Sequence, residues 1–200
     1  MSIERRVQLV EKLFHQLEQE IAQFKKSSEL SCISGCGKCC TFPNVEASPL
    51  EFLPWAFHLY LTGEAEKTLK IINNTKNLTC LIYKPLTVIN QGRCRNYKYR
   101  GLICRLFGFA ANTEKFGKLR LATCKIIKES QTANYYKTSE AITKGLKVPV
   151  FTEYYMKLNQ IDFHLGNIIL PVNKALKMAL EEVLQYYTYR SFPDLDKKCL

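Results

Sequence analysis

The spacing of the cysteines constrains this chain more than any other feature. Eight of the nine cysteines lie between positions 32 and 124, and four of those eight fall within nine residues. The four are Cys32, Cys36, Cys39 and Cys40. Gly35 and Gly37 lie between them, and glycine lets the backbone curl so that sulfurs two and three residues apart can converge. The spacing therefore predicts a loop that wraps a metal centre.

Chain length and the expected compartment indicate whether these thiols are reduced or form disulfides. At 200 residues and 46% apolar content, the chain is long enough for a single domain with its own core, so it does not need disulfides for stability. The first residues have no apolar export signal, and nowhere do 18 apolar residues run together, so we expect a cytoplasmic protein without a membrane span. Cytoplasmic thiols stay reduced, which favours metal binding or redox chemistry over disulfides.

The remaining cysteines are spread more widely along the chain. They are Cys80, Cys94, Cys104, Cys124 and Cys199. The first four are flanked by residues typical of strands or turns, and not of an apolar helix face. Eight thiolates could form two tetrahedral sites, one iron-sulfur cluster and one zinc site, or one polynuclear cluster. Adjacent side chains diverge, so Cys39 and Cys40 are not expected to serve one ion as equals. Cys199 lies outside the motif and is predicted not to be a ligand.

Hydrophobic spacing predicts an α+β fold that is mainly α. Apolar residues recur every three or four positions from residue 2 to 30, which indicates one long amphipathic helix. A capping box at Ser48-Pro49-Leu50-Glu51 opens a second helix, in which Pro54 implies a kink or a later start. A short third helix is predicted at residues 64–74, and alternating apolar residues between 105 and 125 predict a small β-hairpin.

Helical spacing returns in the last third of the chain, from Phe151 and again after Pro171. We therefore expect a single domain over residues 1–200. In it, helices at 1–31 and 130–200 flank a cysteine-rich metal-binding core at 32–124.

The chain is basic, with a net charge of +11. Lysine and arginine are spread along the whole sequence instead of forming a block, which favours solvated faces over a nucleic-acid patch. Thiolates bound to metal carry negative charge, so part of the positive excess is expected to compensate them.

Four segments carry a resemblance to a known family. They read Cys36-Gly37-Lys38-Cys39-Cys40, Cys80-Leu81-Ile82-Tyr83, Cys94-Arg95-Asn96-Tyr97 and Arg100-Gly101-Leu102-Ile103-Cys104-Arg105-Leu106-Phe107-Gly108, with Cys124 after them. This pattern resembles the YkgJ family of bacterial cysteine-cluster proteins, of the CxxCxxCC type. Gly101 stands where that family usually has proline, a departure expected to loosen the turn but to leave every ligand in place.

The resemblance implies a zinc- or iron-chelating domain in which the eight clustered cysteines bind one or two centres, as an iron-sulfur cluster or as zinc. Arg95, Arg100 and Arg105 are expected to lie behind the ligands, donating hydrogen bonds to sulfur and compensating charge. The expected partners are the metal ion or cluster and, for a centre that acts on other molecules, a protein substrate or a redox partner.

Two alternatives remain open at this point. A related cysteine cluster occurs in flagellin lysine N-methylases, which suggests an iron-sulfur-dependent enzyme that modifies a protein. The net charge alone supports a zinc-knuckle module that binds nucleic acid. The sequence does not decide whether the chain is an enzyme.

Overall fold

The computed structural model describes residues 1–75, 78–86 and 91–193. Within them, the helices are α1 (Ile3–Ser28), α2 (Lys38–Thr41), α3 (Pro49–Leu61), α4 (Ala65–Asn74), α5 (Leu102–Leu106), α6 (Lys125–Ser130), α7 (Thr132–Thr143), α8 (Phe151–Ile161), α9 (Phe163–Asn167) and α10 (Val172–Tyr187). The strands are β1 (Glu46–Ala47), β2 (Tyr83–Pro85), β3 (Gly92–Cys94), β4 (Ala110–Thr113), β5 (Leu119–Ala122) and β6 (Leu170–Pro171). Two short 3₁₀ turns span Tyr97–Tyr99 and Lys115–Gly117. The fold is thus α+β and mainly α, with long terminal helices, as predicted.

Helix α1 forms because its apolar residues lie on one face and its ends are capped. The Ser2 side chain accepts a hydrogen bond from the Arg5 backbone N–H at 3.2 Å, which satisfies a donor of the first turn. At the other end, Glu29 adopts a left-handed conformation and its N–H donates to the Lys25 carbonyl. The predicted amphipathic helix is confirmed.

Helix α3 is the central element of the fold. It begins at Pro49 after the predicted capping box, and ten of its thirteen residues are buried. A helix that is buried on nearly all sides belongs in the middle of a core. Pro54 was predicted to cause a kink or a later start, and the later start is wrong, because the helix already begins at Pro49 and continues through Pro54 to Leu61. We attribute this to burial around the helix, which outweighs the one hydrogen bond that proline removes.

The main core lies between α1, α3, α8 and α10. Leu17, Leu53, Leu158 and Leu176, one from each helix, are fully buried there. A second, smaller cluster joins the end of α1 to the region around α6 and α7. Its buried members are Phe24, Leu30, Leu121, Ile127 and Ile142. The cysteines lie next to these two clusters: Cys80 and Cys94 pack against the first, and Cys124 against the second.

The strands form three antiparallel pairs, β1 with β6, β2 with β3 and β4 with β5. The β4–β5 pair is the predicted hairpin, with Ala110 opposite Ala122 and Thr113 opposite Leu119. The β2–β3 pair places Tyr83 opposite Cys94 and was not predicted. None of the helices in the described ranges combines the length and apolar content that a membrane crossing requires.

Candidate metal centre

Four cysteines lie on one exposed segment, residues 31–45, which we name the thiol loop. None of its residues is buried, and its short helix α2 carries both Cys39 and Cys40. Gly37 precedes α2 in the left-handed conformation, with φ of 58°. This conformation favours glycine, so the sequence Gly-Lys-Cys-Cys is what allows the chain to turn into α2.

The thiol loop lies directly against the β2–β3 pair. The Gly92 N–H donates to the Gly35 carbonyl at 2.9 Å, and the Cys80 N–H donates to the Cys40 carbonyl at 3.4 Å. The approach is so close that a Cβ on Gly37 would lie 2.5 Å from the Gly92 oxygen. Glycine at position 37 is therefore needed for its conformation and also for its lack of a side chain. The contact brings Cys39 and Cys40 toward Cys80 and Cys94.

Cys104 was predicted on a strand or turn, and that prediction is wrong because the residue lies within α5. Leu102 and Leu106 on either side of it are fully buried, and they fix the inner face of the helix. Cys104 therefore points away from the core and keeps solvent-accessible surface. Burial among surrounding protein is nevertheless the main cause that raises its pKa above the usual range.

Five thiols lie near enough to affect one another's pKa, and we name them the inner group. They are Cys39, Cys40, Cys80, Cys94 and Cys104. Burial raises the pKa of Cys80 to about 11, and the neighbouring Cys94 and Cys39 raise it further. Burial also raises the pKa of Cys94, and Cys39 adds to the effect. Four separate chain segments thus contribute cysteines to one neighbourhood.

The other three clustered cysteines form an outer group of Cys32, Cys36 and Cys124. Burial raises the pKa of Cys32, and Cys36, Cys39 and Cys124 raise it further, so Cys39 interacts with both groups. The Cys124 sulfur accepts a hydrogen bond from the Ile127 N–H at 3.4 Å, at the start of α6. The outer group therefore joins the thiol loop to the second hydrophobic cluster.

The adjacent thiols Cys39 and Cys40 have pKa values shifted in opposite directions. Although neighbouring side chains leave a helix at different angles, these two thiols share a hydrogen bond. The Cys40 S–H lowers the pKa of Cys39 to about 6, and the same interaction raises the pKa of Cys40 well above its usual range. The lowered pKa favours the thiolate form of Cys39, which is the form that binds metal.

Among the described residues, no three histidine, cysteine, aspartate or glutamate side chains already stand in a metal-holding arrangement. The thiols converge without forming a finished cage. Their chemistry nevertheless fits the expected metals, because every member of the two groups is a sulfur donor and thiolates select zinc, copper(I) and iron-sulfur clusters over hard cations.

The three arginines expected behind the ligands occupy different environments. The Arg105 side chain is 3% exposed, stacks on the Phe14 ring, and donates to the Glu18 carboxylate and to the carbonyls of Lys98 and Arg100. Arg100 also donates to Glu18, at 3.2 Å. These hydrogen bonds go to oxygen and not to sulfur.

The arginines still contribute charge to the site. Burial raises the pKa of Cys94, whereas the positive charges of Arg100 and Arg105 oppose that increase. Arg95 is exposed, and its backbone N–H donates to Ile82 at 2.8 Å. The hydrogen bonds of the Arg105 side chain attach α5 next to Cys104, a role that was not predicted from the sequence.

Sequence reasoning also missed two acidic residues and one signal that points to them. Residues 67–113 contain nine lysines and arginines and no aspartate or glutamate, although three of the clustered cysteines lie there. The compensating carboxylates come from distant elements: Glu18 of α1 holds two arginines, and Glu51 of α3 reaches α5. A basic segment without acidic residues therefore indicates that the carboxylates which compensate its charge come from distant parts of the chain. Cys199 lies outside the described residues.

Comparison with protein families agrees with this geometry. The family model CxxCxxCC, described as "Putative zinc- or iron-chelating domain", matches residues 31–141. The match spans more than half of the chain and includes all eight clustered cysteines. The chain belongs to the CxxCxxCC family. Its membership confirms the resemblance expected from the cysteine spacing, and it supports chelation of zinc or iron without choosing between them. Comparisons with curated proteins and with solved structures gave no match.

Proposed function

We propose that this CxxCxxCC protein holds zinc or an iron-sulfur cluster on the thiolates of its inner and outer groups. The observation that carries the proposal is that the thiol loop is hydrogen bonded to Cys80 and to Gly92 of β3, so that cysteines of separate segments lie near enough to affect one another's pKa. Cysteines that only fill space in a core are not expected to cluster, because a lone buried thiol behaves as a small apolar side chain.

The inner group supplies enough ligands for one complete centre. Tetrahedral zinc and four-iron clusters both take four thiolates, and the inner group holds five. The outer group has three thiols of its own and reaches four when Cys39 is assigned to it. We therefore propose Cys40, Cys80, Cys94 and Cys104 as ligands of a first centre, and Cys32, Cys36, Cys39 and Cys124 as the set available to a second.

Charge in the surroundings supports this division. Three members of the inner group lie in the acid-free segment of residues 67–113, and the charges of Arg100 and Arg105 favour the thiolate form of Cys94. Four thiolates on zinc or on an oxidised four-iron cluster leave a net charge of about −2, and Arg100 and Arg105, which share the single carboxylate of Glu18, offset part of it.

The test is to purify the full chain without oxygen and to measure its visible absorbance together with its zinc, iron and acid-labile sulfide content. A brown protein with iron and sulfide identifies an iron-sulfur centre, and a colourless protein with stoichiometric zinc identifies a zinc centre. Protein that takes up neither metal would overturn the proposal.

Single serine variants then test the ligands. Cys36→Ser, Cys39→Ser, Cys40→Ser, Cys94→Ser and Cys104→Ser should each lower the metal content per chain. Cys199→Ser is the matched control, because it removes a cysteine outside the motif and should keep the full content. If every variant retains the metal content of the parent, the ligand assignment is wrong.

A further inference from the structure

Glu51 is a buried carboxylate that joins three elements of the fold. It is 1% exposed, and one oxygen accepts from the Ser48 backbone N–H at 2.8 Å. The other oxygen accepts from the Ile103 N–H at 3.0 Å, and the Tyr155 hydroxyl of α8 donates to the same carboxylate. Burying a carboxylate costs several kcal/mol unless its oxygens are hydrogen bonded, and here the bonds come from α3, α5 and α8.

The bond to Ile103 matters because Cys104 is the next residue. Helix α5 has only five residues, and a helix of that length does not hold itself together. Glu51 fixes its first turn, and Arg105 fixes its last turn through Glu18 and two carbonyls. Cys104 lies between these two attachments, so its direction is set by groups outside α5.

Gly101 provides an independent observation of the same contact. Its backbone, with φ of −64°, is one that any residue can adopt, so conformation does not require glycine here. The available space does require glycine, because a Cβ at this position would lie 2.9 Å from the Glu51 oxygen and 2.9 Å from the Phe52 ring. Gly101 therefore has a packing role beyond the looser turn that the sequence predicted. The missing side chain makes room for the carboxylate that holds α5.

We propose that Glu51 is a positioning residue for Cys104, and this inference rests on the proposed function. Its carboxylate holds the start of α5 so that the Cys104 sulfur faces the rest of the inner group before metal binds. A role limited to capping α3 would involve only the bond to Ser48. The bonds to Ile103 and Tyr155, together with the space left at Gly101, show that the carboxylate also serves α5.

The test uses cobalt(II) titration of the metal-free full chain, because the intensity of thiolate-to-cobalt absorbance counts bound thiolates. Glu51→Gln keeps the size of the side chain, but its NH₂ group cannot accept a second backbone N–H. Cys104→Ser should remove about one quarter of the intensity when only the first centre fills, and about one eighth when both centres fill. Glu51→Gln should remove the same fraction, and the double variant should lose no more than Cys104→Ser alone, since both changes remove one ligand.

Glu4→Gln is the matched control. Glu4 accepts from the Tyr187 hydroxyl, as Glu51 accepts from Tyr155, but this pair joins α1 to α10 away from the thiols. The control should keep the full cobalt absorbance, and circular dichroism should show unchanged helix content in all variants. If Glu51→Gln does not fold, Tyr155→Phe replaces it. That variant removes one donor to the carboxylate and should weaken cobalt binding by about threefold to tenfold.

The outcomes separate the two proposals. If Cys104→Ser loses absorbance and Glu51→Gln keeps it, Glu51 does not position Cys104, whereas the proposed function stands. Additive losses in the double variant, or an unchanged Tyr155→Phe where Glu51→Gln is unfolded, would also overturn the inference. If Cys104→Ser itself keeps the full absorbance, the assignment of Cys104 as a ligand fails.

Discussion

The two regions that supply most of the thiols differ in what holds them. Helix α5, with Cys104, is attached to the core by fully buried Leu102 and Leu106 and by the buried Arg105. The thiol loop, with four cysteines, has no buried residue, and Ile33 and Phe42 are each about half exposed. One part of the site is therefore built by the protein core, while the other rests on a few backbone hydrogen bonds and a close glycine contact.

This difference indicates what the metal has to supply. Segments with few buried apolar contacts open at low free energy, so the thiol loop is the part of the site that the core stabilises least. Structural zinc contributes about 10 to 16 kcal/mol in small peptides, which is enough to order a loop of this length. We expect α5 to be preformed and the thiol loop to be completed by the metal.

The largest effect should come from removing an anchor of α5. Arg105→Ala leaves the carbonyls of Lys98 and Arg100 without their donor and removes the contact with Phe14, so it should lower the free energy of unfolding of the metal-free protein by about 2 to 4 kcal/mol. Urea denaturation measures this. Arg100→Ala, which removes the other arginine on Glu18, should cost about 1 kcal/mol or less. Equal losses would show that α5 does not depend on the buried arginine.

Glycine substitutions should have a smaller effect, and that effect should differ between the thiol loop and the core. Gly37→Ala adds a Cβ that meets the Gly92 oxygen and also strains a positive φ, whereas Gly63→Ala strains a similar φ with no atom within 4 Å. We expect Gly37→Ala to weaken metal binding by roughly tenfold to a hundredfold while leaving the stability of the metal-free protein within about 0.5 kcal/mol. Gly63→Ala should do the reverse, lowering stability by about 1 kcal/mol and keeping metal affinity. The same response in both variants would remove the distinction between the regions.

The smallest effect concerns pH. Burial raises the pKa of Cys80 from 9.0 to about 11, so the folded metal-free protein holds this proton more tightly than the unfolded chain does. Its contribution to stability is present below pH 9 and is lost as the pH rises through 11. This rise in pKa corresponds to at most about 2.7 kcal/mol, and because Cys80 is only partly buried we expect the free energy of unfolding to fall by roughly 1 kcal/mol over this window. Cys80→Ser should reduce the fall. An increase in stability over the same window would contradict the burial of Cys80.

The sequence was sufficient to predict the elements that depend on local patterns. The spacing in α1, the capping box at Ser48 and the alternation in β4 and β5 are all visible in short windows, and the structure has each of them. Helix α5 was missed because five residues are too few to show a helical period. Its helical state comes from contacts with residues distant in the sequence.

The candidate site shows the same division. The cysteine spacing identified the family, because ligand spacing is a local property of the chain. The roles of Glu18 and Glu51 could not be predicted, since Glu51 lies 52 residues from Ile103 and Glu18 lies 87 residues from Arg105. Only the folded chain brings these carboxylates to the acid-free segment.

The central claim, that the core holds α5 and the metal holds the thiol loop, is tested most directly by hydrogen exchange on the metal-loaded and metal-free protein. Removing the metal should lower the protection of amides in residues 31–45 by at least about tenfold, while α5 and the terminal helices keep theirs. Equal protection of the thiol loop in the two forms would show that the protein holds this loop without metal. Loss of protection in α5 together with the loop would show that the core does not preform its part of the site.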